Sequence, residues 1–139
     1  MAYATQDDIV TIYSADALFV AERDGAVDGA AVVRALDSAS GEIDSFIAVR
    51  VPLPLPEVPD LLVQFAVDIA LYRLASSAAI MSDELRQRYE DALAHLRRIA
   101  KGEAALVLPV APDAEPQSPA PIVADGEPRL FTRTSLRGL

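Results

Sequence analysis

The chain has 139 residues, a formal net charge of −9, an apolar fraction of 52% and no cysteine. With a mean hydropathy of +0.24, that length allows one packed core plus an appendage and excludes wholesale disorder, a disulfide framework and thiolate chemistry. No stretch approaches the ~18 unbroken apolar residues of a membrane span, and the start MAYATQDDIV lacks the regions of a signal peptide, so the sequence reads as a soluble protein with no membrane partner.

Much of the apolar content is alanine, which favours helix over strand. Thr5 followed by Asp8 marks a helix N-cap with an acid in the first turn, predicting a short helix over 6–13. Ser14 with Asp16 repeats the device and predicts a second short helix, ADALFVAE, to about residue 22. RDGAVDG then breaks the pattern with Gly25 and Gly29. A third helix is expected from about Asp28 to Arg50, because Val32, Leu36, Ala39, Ile43 and Phe46 step by four and three into one stripe, with Ile47 beside it.

The run VPLPLPEVP ends that helix: its four prolines fix their own φ and push their predecessors toward extended geometry. It reads as a stiff connection that sets the angle between two helices, in preference to a polyproline ligand. A fourth helix is predicted from about Asp60 to Ser76, with Leu62, Phe65, Ile69 and Tyr72 on one line and Val63, Val67, Ala70 and Leu74 on another. A helix apolar around most of its circumference belongs at the centre of a bundle. Ser82 caps a fifth helix whose Leu85, Tyr89, Ala92, Leu96 and Ile99 form the inner stripe, with Glu84 and Arg88 paired at i, i+4 outside and Gly102 as its stop.

From Pro109 to Pro128 six of twenty residues are proline and most others are Ala, Asp, Glu or Ser. Such a segment buries too little to offset its ordering entropy and is expected to be an extended linker. The eleven residues after it, RLFTRTSLRGL, carry three arginines and no acid. The expected organisation is therefore an all-α, compact bundle of about five helices over 1–108, a Pro-rich acidic linker over 109–128 and a cationic peptide over 129–139. Residues 1–60 hold eleven acids and three bases, so the body repels nucleic acid, and three terminal arginines are too few for a nucleic-acid arm. The first two helices carry five acids against one arginine, which argues against a DNA-binding helix-turn-helix.

The search for chemistry returns little. His95 is the only histidine, which removes histidine pairs, triads and clusters; four residues after Asp91, it reads as half of an exposed i, i+4 pair. Asp7/Asp8 and Glu90/Asp91 are sequence neighbours whose side chains diverge on a helix, so they read as solvated or capping charges. Asp24, Asp28 and Glu42 do not make calcium-loop spacing, and phosphate loop, dinucleotide turn and nucleophile elbow are all missing from the sequence. The reading is a non-enzyme with no cofactor and no metal site. Asp68, amid the apolar fourth helix, is expected to pair with an arginine such as Arg50 or Arg73; the alternative is a subunit contact in which it reaches a neighbour's arginine.

Taken in order, YATQDDI, ERDGAVD, VVRALDSASGEIDSFIAVRVPLPL, VPDLLVQFAVDIALYRL, DELRQRYEDALAHLRRIAKGE and RLFTRTSLRGL form a specific combination. The chain resembles the Mu-type phage and prophage family of small neck proteins, the head-to-tail connectors or adaptors. The resemblance covers about residues 3–108 and the last eleven. It rests on the A-S-x-E-I-D helix (Ala39 to Asp44), the P-L-P-L corner and the D-I-A-x-Y-R-L helix (Asp68 to Leu74).

The resemblance implies a structural role in the virion neck, after assembly in the host cytoplasm. Adaptors of this kind form a ring, a dodecamer as a rule, that contacts the portal protein on one side and a tail or stopper protein on the other. The ring extends a channel through which genomic DNA passes without specific binding. The C-terminal arm of such an adaptor docks on the portal; here that implies Arg129, Leu130, Phe131, Arg133, Leu136, Arg137 and Leu139 as docking residues. A helical assembly factor that is lost from the mature particle is the alternative.

Overall fold

The computed structural model describes residues 2–108; the expectations for the linker and for the docking peptide 129–139 fall outside them. Within the described residues the protein is all-α, in keeping with the sequence pattern. The elements in order are α1 (Gln6–Tyr13), a 3-10 helix (Ala15–Ala21), β1 (Glu22–Arg23), β2 (Ala26–Val27), α2 (Gly29–Ile47), α3 (Asp60–Ser77) and α4 (Asp83–Lys101).

Two of the three expected caps form, and Asp28 caps α2 as well. Thr5 and Asp8 close a reciprocal capping box on α1. The Asp28 carboxylate accepts from the Ala31 N–H at 3.0 Å, and the Ser82 hydroxyl accepts from the Leu85 N–H at 3.2 Å, each satisfying one of the donors that a helix start leaves over. The expected cap at Ser14 does not form. Ser14 sits at φ 74°, ψ 166°, its side chain makes no cap bond, and the chain continues as a seven-residue 3-10 helix in place of an α-helix to residue 22. The reason lies just downstream. Asp24 and Gly25 both adopt positive φ (53° and 81°), the two-residue loop that an Asp-Gly pair favours. This draws Glu22 and Arg23 into antiparallel pairing with Val27 and Ala26, a tiny hairpin that the helical pattern does not predict. Helix α2 also ends earlier than Arg50. The N–H groups of Arg50 and Val51 both turn back to the Ile47 carbonyl, tightening the last turn ahead of Pro52.

Helix α3 is the centre of the bundle. Ten of its eighteen residues are buried, and it packs against α1, the 3-10 helix, α2 and α4. Its contacts with two of them are specific: Arg73 meets Ser38 and Glu42 of α2, while Tyr72 meets Tyr89 and Phe65 meets His95 of α4. The α2 stripe is buried at Val32, Leu36, Ala39, Ile43 and Ile47, with Phe46 half-buried. The α4 stripe is buried at Ala92, Leu96 and Ile99. Leu55 of the proline corner is only 3% exposed, so the corner is fastened to the core by one side chain. Tyr3 and Ala4, outside any helix, are buried as well.

Gly102 ends α4 at φ 79°, where a Cβ would meet the Arg50 guanidinium at 2.8 Å. Arg50 Nε donates at 2.9 Å to the Ala100 carbonyl in that last turn. We expect Gly102→Ala to destabilise the protein by about 1–2 kcal/mol, from the left-handed backbone alone plus displacement of Arg50. Chemical denaturation checks this, and Arg50→Ala in the same background should add little, because the guanidinium is already displaced.

Candidate interaction surface

Two polar clusters stitch the helices together. In the first, the Tyr13 hydroxyl of α1 donates to Asp68 Oδ1 of α3 at 2.6 Å. Gln64, one turn before Asp68, donates through Nε2 to the Tyr13 oxygen at 2.6 Å and lies 3.3 Å from both carboxylate oxygens. The Arg88 guanidinium of α4 covers the face of the Tyr13 ring, 4.2 Å from its centroid, and pairs with Glu84. Asp68 is therefore buried but held by neutral donors, with a cation only behind the tyrosine. Burial pushes its carboxyl above the ordinary carboxylate range, and Tyr13, Gln64 and Arg88 pull back against that. Burial, aided by Asp68, moves the Tyr13 hydroxyl up to about 12, so it remains a donor at neutral pH.

The second cluster spans α2, α3 and α4. Arg73 bonds to Glu42 at 2.5 Å and to the Ser38 hydroxyl. Tyr89 approaches the other Glu42 oxygen at 3.4 Å and stacks on Tyr72 with centroids 4.0 Å apart and planes 3° from parallel. A third link ties the N-terminal segment to α2. The buried Ser40 hydroxyl accepts the Tyr3 N–H at 2.9 Å and donates to the Leu36 carbonyl, and the Tyr3 hydroxyl bonds to Asp44.

These contacts correct two expectations. Asp68 pairs with neither Arg50 nor Arg73. Arg73 is engaged by Glu42 and Ser38, Arg50 caps the last turn of α4, and Tyr13 reaches Asp68 from an element 55 residues away in sequence. His95 does not pair with Asp91, whose Oδ1 accepts from Gln87. The imidazole instead packs at 5.3 Å on Phe65, with Arg98 3.3 Å from its Nδ1. Among the described residues no three metal-ligating side chains converge, and no helix is long and apolar enough to cross a membrane. The seven residues expected to dock on a portal, from Arg129 to Leu139, lie outside the described residues.

Apolar and charged side chains share a hollow on the surface these contacts leave over. Beside the first cluster, a groove of about 310 Å³ opens between the 3-10 helix and the start of α4. Ala17, Phe19, Val20, Leu71 and Leu85 line it with apolar surface, Phe19 being 49% exposed. Asp16, Glu84 and Arg88 supply its charges, two acids and one arginine, beside Tyr13 and Ser82. Periodicity does not single out Phe19, because a 3-10 helix departs from the 3.6-residue stripe by which inner and outer faces are told apart.

The sequence model of the family described as Bacteriophage Mu, Gp36 matches residues 3–125. Among similar proteins, the Mu-like prophage FluMu protein gp36 of Haemophilus influenzae is 40% identical over 82 residues, 59% of this chain and 57% of the relative, so the chain matches little more than half of that protein's length. Gene product J of Escherichia phage Mu is 28% identical over 137 residues, 96% of each chain.

The Asp68 site has a pH signature. Its folded pKa is raised, so its contribution to stability is fully present below the unfolded carboxylate value of about 3.9 and is lost as pH rises through the folded value. Asp68→Asn keeps an acceptor for Tyr13 and removes that loss; relative to the variant, the wild type should weaken from pH 4 toward pH 7. Tyr13→Phe removes the main donor to a buried carboxylate and should cost about 1.5–3 kcal/mol at pH 7. Urea denaturation of the three proteins across pH 4–8 tests both, and parallel curves for wild type and Asp68→Asn would overturn the assignment.

Proposed function

The chain belongs to the Bacteriophage Mu Gp36 family, and from that premise we propose that it is a structural protein of the virion neck, a head-to-tail connector forming a ring between portal and tail. The observation that carries this reading is the direction in which its polar groups point. Asp68, Arg73, Glu42, Ser40 and Asp44 are polar residues of the two helices that make the family recognisable, and all five are engaged in contacts within the body. Side chains engaged in holding helices together leave no convergent constellation for a reaction among the described residues. The protein then works through its surface, as a scaffolding subunit does.

Charge supports the same reading. Residues 1–108 hold seventeen acids and nine bases, and a ring multiplies that excess. Acids such as Asp7, Asp37 and Glu22 are exposed, and a channel wall that carries some of them repels the phosphate backbone, so DNA slides past without adhering. The last eleven residues reverse the sign, with three arginines among Leu130, Phe131, Leu136 and Leu139. On the connector reading they are a docking peptide for the portal, whose arginines meet carboxylates and whose Phe131 is the buried anchor. The segment 109–128 is then a tether that raises the local concentration of that peptide.

Co-sedimentation with the cognate portal ring tests this. Full-length protein should pellet with the portal and a chain ending at Leu108 should not. Phe131→Ala should weaken binding by about 2 kcal/mol or more, roughly thirtyfold. If full-length and shortened chains bind equally, the docking assignment of 129–139 is wrong. If neither binds, the connector reading gives way to an assembly factor absent from the finished particle.

A further inference from the structure

A 3-10 helix brings residues three apart into line, so Asp16 and Phe19 stand on one edge of the helix Ala15–Ala21, and both are exposed. Phe19 is the only exposed aromatic residue among the described residues. Asp16 enters no ion pair among them. Arg88, which lines the same groove, pairs with Glu84 and covers the Tyr13 ring. An exposed ring beside an unpaired carboxylate is complementary to a small apolar hollow beside a cation.

The hollow between α2 and α3 has that chemistry. It encloses about 360 Å³; Ala31, Ala35 and Leu74 give it apolar surface, and Arg34, Arg73 and two serines line the rest, with no acid among them. Arg73 is offset by Glu42. Arg34 is exposed and enters no ion pair among the described residues, so it leaves the hollow an unbalanced positive charge. That charge lies in a stretch, residues 1–60, with eleven acids and three bases. The alanines leave room for a ring, and a guanidinium at the rim can cover its face as Arg88 covers Tyr13. The hollow beside Thr5 and Val33 is smaller, about 180 Å³, and carries Asp37, which repels a second acid. We propose that Phe19 and Asp16 seat in the α2/α3 hollow of a second copy of the chain, with Asp16 meeting Arg34. The proposal deepens the connector reading and rests on its ring, since it names the contact by which one subunit takes hold of the next.

The hollow that receives Phe19 belongs to another copy because the two features sit on different sides of one body. Leu71 of α3 lines the groove at Phe19. Arg73 and Ser77, which line the hollow, lie about 160° and 120° round the same helix from Leu71. The 3-10 helix is packed on α1 and α3 of its own body, so its edge cannot swing round α3 to reach its own hollow. Patches that look in different directions suit a head-to-tail contact in preference to a mutual one. Such a contact uses two different surfaces and closes into a ring when the rotation between copies allows.

The chain has no cysteine, which allows cross-linking at chosen sites in full-length protein without portal. Ala15→Cys places a thiol beside Asp16, and Ser77→Cys places one in the hollow, while Phe19, Asp16 and Arg34 stay intact. Mixing the two single variants with a bismaleimide should give the heterodimer well above the statistical mixture, and the double variant should give covalent multimers. Phe19→Ala on the first chain should lower the yield about tenfold, and Asp16→Arg on the first chain or Arg34→Asp on the second about fivefold. Both reversals together, one on each chain, should restore it, with circular dichroism confirming that each body stays helical. A heterodimer at the statistical level would overturn the contact and leave the hollow to another acidic partner. Charge reversals that fail to compensate would overturn it as well. An internal cross-link in a monomeric double variant would overturn the second copy. Since no portal is present, portal co-sedimentation that succeeds while cross-linking stays statistical rejects this contact alone. Cross-linking that succeeds while co-sedimentation fails rejects the portal and leaves the contact standing.

Discussion

The burial of α3 on nearly every side is the constraint on which the other elements depend. An eighteen-residue helix with ten buried positions must be covered by several partners, so α2, α4, α1 and the 3-10 helix are arranged around it, and the chain's short helices have a place only because α3 needs them. The cost of so central a position falls on Asp68. A carboxylate taken out of water costs several kcal/mol unless it is well bonded, and the arginine of its own helix, Arg73, faces α2 in the Glu42 pair. The bundle solves this with neutral donors. Tyr13 can bond Asp68 only if α1 lies across α3 at one height, so the hydrogen bond also fixes where α1 sits.

Helix periodicity is a local property, and it is legible in the sequence. The 4-3 steps of α2 and α4, the caps at Thr5 and Ser82, the start of α2 near Asp28 and the stop at Gly102 are all decided within about one turn of chain or along one face of one helix. Features that another element decides are not legible. Ser14 and Asp16 look like a helix start, yet the Asp24-Gly25 loop a few residues later claims Glu22 and Arg23 for a hairpin and leaves only a 3-10 turn between. Arginine is the reasonable partner for a buried aspartate on electrostatic grounds, but Arg50 and Arg73 have nearer uses, and a tyrosine far off in sequence carries no signal of its destination. Tyr3 escapes the pattern for the same reason. It lies outside every periodic segment and is buried only because Ser40 and Asp44 receive it.

The motifs that make the chain recognisable turn out to be joints. In A-S-x-E-I-D, Ser40 holds the N-terminal segment, Glu42 holds Arg73 of α3, and Asp44 holds Tyr3. In D-I-A-x-Y-R-L, Asp68 takes Tyr13, Tyr72 stacks on α4 and Arg73 returns to α2. A polar residue that joins two elements is constrained at both ends, whereas a leucine in a core tolerates other apolar residues of similar volume. A resemblance read from such residues therefore speaks first for a shared fold. Function must be sought on the faces those joints leave free, which is why the candidate site is a surface groove that neither motif enters except through Leu71.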